Sequence, residues 1–278
     1  MARYIAAAVQ MDSQTDIEAN LEMASSLLRQ AVSMGAKLVV FPECMNYCGP
    51  DTDVNAEEIR NGKTFSMLQE AAKQFGVWIH CGSIHEKNKD GGKPYNTSFV
   101  VSPDGELKAV YRKLHLFDLT LEGGKSFQES SHVEHGDAFV TLDSNDLGTL
   151  GLSICYDLRF PEQFRMETLL GADVLCNPAC FNGTTGLAHW DVLLRARAIE
   201  NGCYVIAPDQ TGQKVSMNSY GHSMIVDPWG RVLACLEDGP GVITAEIDTD
   251  YAGKLRRQTG TILNRRTDLY SLELLNRG

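Results

Sequence analysis

The chain has 278 residues, 43% of them apolar and 22% charged, and a formal net charge of −11. This is the profile of a globular chain whose core is large enough to fold without disulfides or metals. The acidity disfavours nucleic acid, whose phosphates call for clustered Lys and Arg, and no apolar run is long enough to span a membrane.

The opening residues, RYIAAAVQMD, read as a short apolar strand ended by polar residues. They lack the longer apolar stretch and cleavage site of a signal peptide, which predicts a cytoplasmic chain. Its eight cysteines are then expected as thiols, mostly small buried hydrophobes. None forms a CxxC pair, and Cys44 and Cys48 have no second pair or nearby His, so no metal site is expected. A helix follows, with Leu21, Leu28 and Val32 at near-helical spacing and Gly35 as its stop. The strand KLVVF then ends at Pro42 and Glu43. FGVWIHCGS (75–83) reads as another strand, and SFVVSPDGEL (98–107) as a hairpin turning at PDG. The strand LKAVYRK ends at Lys113.

The second half answers in the same order. LGLSICYD (150–157) matches IAAAVQMD (5–12), and PEQFRMETLLGADVLCNPA matches the first helix and strand. NGCYVIAPD (201–209) matches FGVWIHCGS, and SMIVDPWGRV (223–232) matches the PDG hairpin. Helices alternating with strands imply a sheet with helices on its outer face. Two such halves, about 1–125 and 147–250, would pack sheet on sheet. The expected fold class is therefore α/β, a four-layer α-β-β-α sandwich of two pseudo-symmetric halves in a single domain over 1–278. The tail 251–278, basic and then apolar, is expected to lie back on the body or across a neighbour.

Three residues at strand ends carry candidate chemistry. Cys155 closes LGTLGLSIC ahead of a turn and a helix, a setting that exposes a nucleophile and, through the helix N-terminus, would lower its pKa. The alternative is a core cysteine at a strand end. Glu43 follows a buried strand and a Pro; partial burial there would suit a general base, and a turn cap is the alternative. Lys113, flanked by apolar segments, reads either as a surface lysine or as a buried cation. Together, a base, a cation and a thiol are what attack on a carbonyl carbon requires. Other residues read as structural. Asp157 and Arg159 are expected to pair behind the nucleophile. His189 and Trp190 are expected to begin a helix, with His189 as a local hydrogen-bonder. Asn182, Thr184 and Thr185 are candidates for touching substrate, with a plain Gly-Thr loop as the alternative, and so is Tyr47, four residues after Glu43.

PE at 42–43, YRKLHLFD at 111–118 and GLSICYDLRFPE at 151–162 resemble the three signature regions of the nitrilase, or carbon–nitrogen hydrolase, superfamily. The resemblance continues through GLAHWDVLLRARAIENGCYVIA and YGHSMIVDPWGRVLA, and is nearest to the deaminated glutathione amidase and omega-amidase branch. It implies a cysteine-dependent amidase that needs no cofactor. Glu43 would shuttle the proton, Cys155 would form a thioester, and Lys113 with the Tyr156 N–H would hold the oxyanion. A second glutamate is implied near the site, and the segment SFQES makes Glu129 the candidate. The implied substrate is a small carboxylate-bearing amide. Implied, too, is a homodimer or larger, for which Phe164, Leu169, Leu193 and Leu194 on helices at 160–171 and 189–201 are the expected apolar faces. An N-carbamoyl amino acid hydrolase is the alternative enzyme, weakened because Leu158 stands where that branch resembles CxxRR. An aliphatic nitrilase is a further one. The alternative outside catalysis is an inactive scaffold or binding subunit.

Overall fold

In the computed structural model, which describes residues 2–120, 124 and 126–275, strand and helix alternate twice over. β1 (Arg3–Gln10) runs into α1 (Ile17–Ser33), β2 (Ala36–Val40), α2 (Lys63–Phe75), β3 (Trp78–His80), β4 (Ile84–Glu86), β5 (Tyr95–Val101) and β6 (Leu107–Arg112). A ribbon of β7 (Asp118–Thr120) and β8 (Ser126–Gln128) precedes the second series. That series is β9 (Val140–Ser144), β10 (Gly148–Leu152), α3 (Pro161–Leu169), β11 (Val174–Cys176), α4 (Gly183–Asn201) and β12 (Tyr204–Ala207). A second ribbon, β13 (Thr211–Gln213) and β14 (Asn218–Tyr220), then leads to β15 (Ser223–Val226), β16 (Val232–Leu236), β17 (Gly241–Asp248) and α5 (Thr249–Thr259). Met1 and the last three residues of the tail lie outside the described residues.

Local chemistry sets these boundaries. Asp16 caps α1 by accepting from the Ala19 N–H at 3.1 Å, and the stripe Leu21, Ala24, Leu28 and Ala31 turns inward. Gly35, at φ +85°, reverses the chain where a side chain would be strained. Pro161 opens α3, where its missing N–H costs nothing. Asn182 caps α4 by accepting from the Thr184 N–H at 2.9 Å, so that helix begins six residues ahead of His189 rather than at it.

The repeat is visible in the pairing. β1, β2 and β3 are parallel neighbours, as are β10, β11 and β12, and each set is extended by an antiparallel hairpin, β5–β6 or β15–β16. At the other edge β9 pairs antiparallel with β10, and β17 takes the same place beside β1. Residues 241–248, grouped with the second half by sequence order, thus complete the first half's sheet.

Side-chain alternation shows the layers. Ala6, Ala8, Leu38 and Val40 join one core with Leu150, Leu152 and Val174 of the second sheet. Ala7, Val9, Val39 and Phe41, their neighbours along the same strands, join another core with α1 and α2. Trp190, Leu194 and Ala198 of α4 close the second sheet's outer side. The result is the expected α-β-β-α sandwich. Phe164 and Leu194, expected on an association surface, are fully buried in that core, because they fall on the inward stripes of α3 and α4. The exposed apolar residues there are Leu169, Leu187, Val192 and Ile199. α5 buries Ala252 and Leu255, while Leu263, Leu269 and Leu275 beyond it are exposed. Among the described residues no helix is long and apolar enough to cross a membrane.

Candidate active site

Strand ends supply the site. Glu43 lies just beyond β2, Lys113 beyond β6, Cys155 beyond β10 and Cys180 beyond β11. In α/β sheets this edge is where ligands bind. Each backbone is pinned. Gln210 Nε2 donates to the Glu43 carbonyl at 2.9 Å, the Lys113 N–H to the Asn96 carbonyl at 2.9 Å, and the Cys155 N–H to the Pro178 carbonyl at 2.8 Å.

Cys155 opens a short 3₁₀ turn, Cys155–Arg159, with φ +47°. That region costs a non-glycine residue about 1–3 kcal/mol unless its surroundings fix it. Asp157 does the fixing. It accepts from the Ile154 N–H at 2.8 Å, the Tyr111 hydroxyl at 2.6 Å, the His115 N–H at 3.0 Å and His115 Nδ1 at 2.8 Å. The expected Asp157–Arg159 pair is not formed, because these four donors already surround the carboxylate. Arg159 instead donates to His189 Nδ1 at 3.0 Å, and His189 is the local hydrogen-bonder expected of it.

The charged groups form one buried cluster. Lys113 Nζ contacts Glu43 Oε1 at 2.9 Å and Glu129 Oε2 and Oε1 at 2.9 and 3.1 Å. Asn96 Nδ2 donates to Glu43 Oε1 at 2.8 Å and to Glu129 Oε1 at 3.3 Å. The Cys180 N–H holds Glu43 Oε2 at 2.8 Å, and the Phe117 N–H holds Glu129 Oε2 at 2.6 Å. Burial alone would push the Lys113 ammonium down, but Glu129, Glu43 and Cys155 hold it well above the usual lysine range. Burial pushes the Glu129 carboxyl up, and Lys113 with the Phe117 N–H more than offsets this, leaving it below the usual range. Two of the three Lys113 N–H bonds go to one carboxylate. One of them can therefore turn elsewhere without stripping either acid of its partner.

The Cys155 thiol behaves opposite to the sequence expectation. Burial and the facing Glu43 push it well above the usual thiol range, and Lys113 only partly opposes them. A single-turn helix end is too weak a field to outweigh this desolvation. At rest the group is a protonated thiol and needs a base.

A cavity of about 540 Å³ opens onto the cluster. Glu43, Lys113, Glu129, Cys155, Tyr156, Asn182 and Thr185 all line it. Tyr47 and Thr184 do not. Tyr47 is buried behind the wall, where its hydroxyl accepts from the Asp51 N–H at 3.3 Å, and Thr184 lies in the first turn of α4. Arg159 also lines the cavity, and its Nε is buried without a partner. Sequence reasoning missed this role and that of Asn96. An arginine four residues past the candidate nucleophile on a helical turn was a usable signal for Arg159; Asn96 at the start of a hairpin strand offered none. Among the described residues no group of His, Cys, Asp and Glu is arranged to hold a metal ion.

Residues 5–257 match the carbon–nitrogen hydrolase family model. A deaminated glutathione amidase of Synechocystis sp. is 43% identical over 270 residues, 95% of this chain and 99% of that protein. Human omega-amidase NIT2 is 39% identical over 277 residues, 99% of each. The nitrilase and fragile histidine triad fusion protein NitFhit of Caenorhabditis elegans is 38% identical over 98% of this chain, which spans 63% of that protein's length. The NitFhit crystal structure superposes with a TM-score of 0.91, covering 99% of this chain and 68% of that one. The chain belongs to the carbon–nitrogen hydrolase family. It is a hydrolase of the nitrilase superfamily acting on C–N bonds other than peptide bonds.

Proposed function

We propose that this carbon–nitrogen hydrolase cleaves the amide of a small linear, carboxylate-bearing molecule, of the deaminated glutathione or omega-amide kind, through a thioester on Cys155. The observation that carries the reading is one cavity that gathers a buried Glu43–Lys113–Glu129 cluster and a strained-turn thiol. Glu43 takes the Cys155 proton as sulfur attacks the carbonyl carbon. The oxyanion is held by Lys113 Nζ, which turns one N–H from Glu129, and by the Tyr156 N–H. Glu43 then protonates the leaving nitrogen, and ammonia departs. Water attacks the thioester, giving its proton to Glu43, and the thiolate leaves and is reprotonated. Glu129 stays anionic throughout and keeps Lys113 in place.

The carboxylate preference rests on Arg159, whose unpartnered Nε at the cavity wall suits an anion. The named activities of the Synechocystis and human relatives support the amide class. An N-carbamoyl amino acid reading has less support. Leu158 is fully buried, and its carbonyl accepts from Arg197 Nη2 at 2.7 Å, so that position offers the cavity no cation. The reading extends to a single hydrolase domain over 1–278, a cytoplasmic setting, and a homodimer or larger assembly through the exposed Leu169, Leu187, Val192 and Ile199.

Purified protein is tested for ammonia release on deaminated glutathione, omega-amides of 2-oxo acids, N-carbamoyl amino acids, aliphatic nitriles and an uncharged amide. The carboxylate-bearing amides should turn over fastest, and Arg159→Met should raise their KM more than that of the uncharged amide. Faster turnover of the carbamoyl compounds or nitriles would overturn the substrate reading.

A further inference from the structure

Two thiols of the cavity wall face each other across the two halves. Cys48, in the loop after Glu43, and Cys180, beyond β11, place their sulfurs 3.9 Å apart, and both line the cavity. Among the described residues this is the only recorded thiol–thiol contact. The partners differ in access. Cys48 is half-buried, whereas Cys180 is buried and its sulfur also lies 3.3 Å from Ser219 Oγ. Cys180 is tied to the proposed chemistry through its backbone, whose N–H holds Glu43 Oε2 at 2.8 Å. No step of the proposed reaction uses either sulfur.

We propose that Cys48 and Cys180 form a reversible disulfide under peroxide, and that this bond switches off the adjacent site. The second half of the proposal rests on the reading of this cavity as the active site. The accessible Cys48 thiol loses its proton and attacks a peroxide oxygen; an S–O bond forms, the O–O bond breaks, and water leaves with that proton. The Cys180 sulfur, giving up its own proton, attacks the sulfenic acid; the S–S bond forms, the S–O bond breaks, and a second water leaves. The two thiols are oxidised by two electrons and the peroxide is reduced by two. A dithiol reverses the bond by two exchanges and is itself left as a cyclic disulfide.

The geometry explains why the bond would inhibit. The sulfurs must close by roughly 1.9 Å to reach the ~2.05 Å of a disulfide. The Cys48 N–H is anchored to the Gln14 carbonyl at 3.0 Å, and the neighbours of Cys180 are anchored too, the Ala179 N–H to the Pro208 carbonyl at 2.9 Å and the Phe181 N–H to Asp209 Oδ1 at 2.8 Å, so closure strains both segments. That strain bears directly on the Cys180 N–H that holds Glu43 Oε2, and the bond crosses the wall of the cavity. Cys48 is half-buried whereas the Cys155 thiol is buried, so an oxidant entering the cavity meets Cys48 first.

The test treats the full chain with hydrogen peroxide, blocks free thiols, and maps tryptic peptides without reduction. Residues 38–60 should appear linked to 166–195, two hydrogens lighter than their sum, with fragmentation assigning the bond to Cys48 and Cys180 rather than Cys44 or Cys176. The same link should form in Cys155→Ala, which makes this arm independent of turnover. In parallel, ammonia release should fall with peroxide and return with dithiothreitol. In Cys48→Ser, compared with its own untreated activity, the recoverable loss should disappear. Absence of the linked peptide from Cys155→Ala overturns the modification site. A linked peptide with unchanged turnover, or a recoverable loss that persists in Cys48→Ser, overturns the switch. Neither result bears on whether Cys155 is the nucleophile, which the turnover of Cys155→Ala decides.

Discussion

Replacing Lys113 with Met takes one positive charge from a buried cluster and leaves two carboxylates facing each other. Glu43 Oε1 and Glu129 Oε1 sit 2.9 and 3.1 Å from the same Nζ, so they lie within about 6 Å of each other, where like charges at an effective dielectric of ~20 repel by roughly 3 kcal/mol. That energy corresponds to roughly two pH units. The pair in the variant will hold a shared proton to higher pH, and a protonated Glu43 cannot act as base. In the wild type the ammonium at 2.9 Å offsets this repulsion, so with it gone the acid limb of the kcat/KM profile should move up by roughly two pH units or more. The oxyanion loses its cation as well, which should lower kcat by ~100-fold or more at the new optimum. Lys113→Arg should not rescue, because a planar fork does not fit the place of a compact ammonium. Steady-state ammonia release across pH, with circular dichroism as a check on folding, makes the measurement. Full activity in a folded Lys113→Met protein removes the residue from the mechanism. A lowered kcat with an unmoved acid limb would mean that Lys113 does not set the charge of the carboxylate pair.

Cys155→Ala should abolish turnover while leaving the fold intact, with the contact from the Cys180 N–H to the sulfur lost; wild-type turnover would end the thioester reading. His80 is fully buried, accepts from the Gly82 N–H at 3.1 Å through Nδ1 and lies 3.3 Å from Ser98 Oγ through Nε2; burial pushes its pKa down to about 3. Its neutral form therefore stabilises the fold fully above the unfolded value near 6.5, and this is lost as pH falls toward 3. Between pH 8 and pH 5 that loss is about 2 kcal/mol. Glu167 and Asp209, pushed up by burial, work in the opposite direction, so the comparison must be with His80→Gln. Urea melts should show the wild type losing about 2 kcal/mol more than that variant over this range; equal losses would mean that His80 is not held neutral. Light scattering at micromolar concentration should show a dimer or larger, and a species of 30.6 kDa alone would refute the assembly.

Glu43, Lys113 and Cys155 were legible because each ends an apolar strand, and strand ends of two repeated halves meet at one sheet edge. The layers were legible for the same reason: Leu38 and Val39 are both apolar yet belong to different cores, the mark of a strand buried on both faces. What was hidden depends on partners distant in sequence. Nothing within Gly241–Asp248 says that it pairs with Arg3–Gln10. Asn96 bridges two acids only because the β5–β6 hairpin brings it beside Lys113. The Cys155 thiol was misread because the local field of a helix end is visible in sequence, whereas the larger cost of desolvation is not. Tyr47 and Thr184 are near the site along the chain but have their backs to it.

The cluster holds two carboxylates and one ammonium, an excess of one negative charge beside a group that must itself become an anion. On the proposed roles this excess is useful, because it travels. At rest it adds to burial in keeping Cys155 protonated. When Glu43 takes that proton, the negative charge leaves one side of Lys113 and reappears as an oxyanion on another, so the net charge around Nζ does not change during the step. Little reorganisation is then needed, which is how a preorganised site lowers a barrier. Glu129 has no part in moving protons, yet the scheme needs it. With Glu129→Gln the ammonium has a single anionic partner left, Glu43, and binds it more tightly. Glu43 becomes harder to protonate and a weaker base. The acid limb should then move down while kcat falls, opposite in direction to the shift from Lys113→Met. If both variants moved the limb the same way, or if Glu129→Gln left the pH profile and kcat intact, Glu129 would be no more than a brace for the Phe117 backbone.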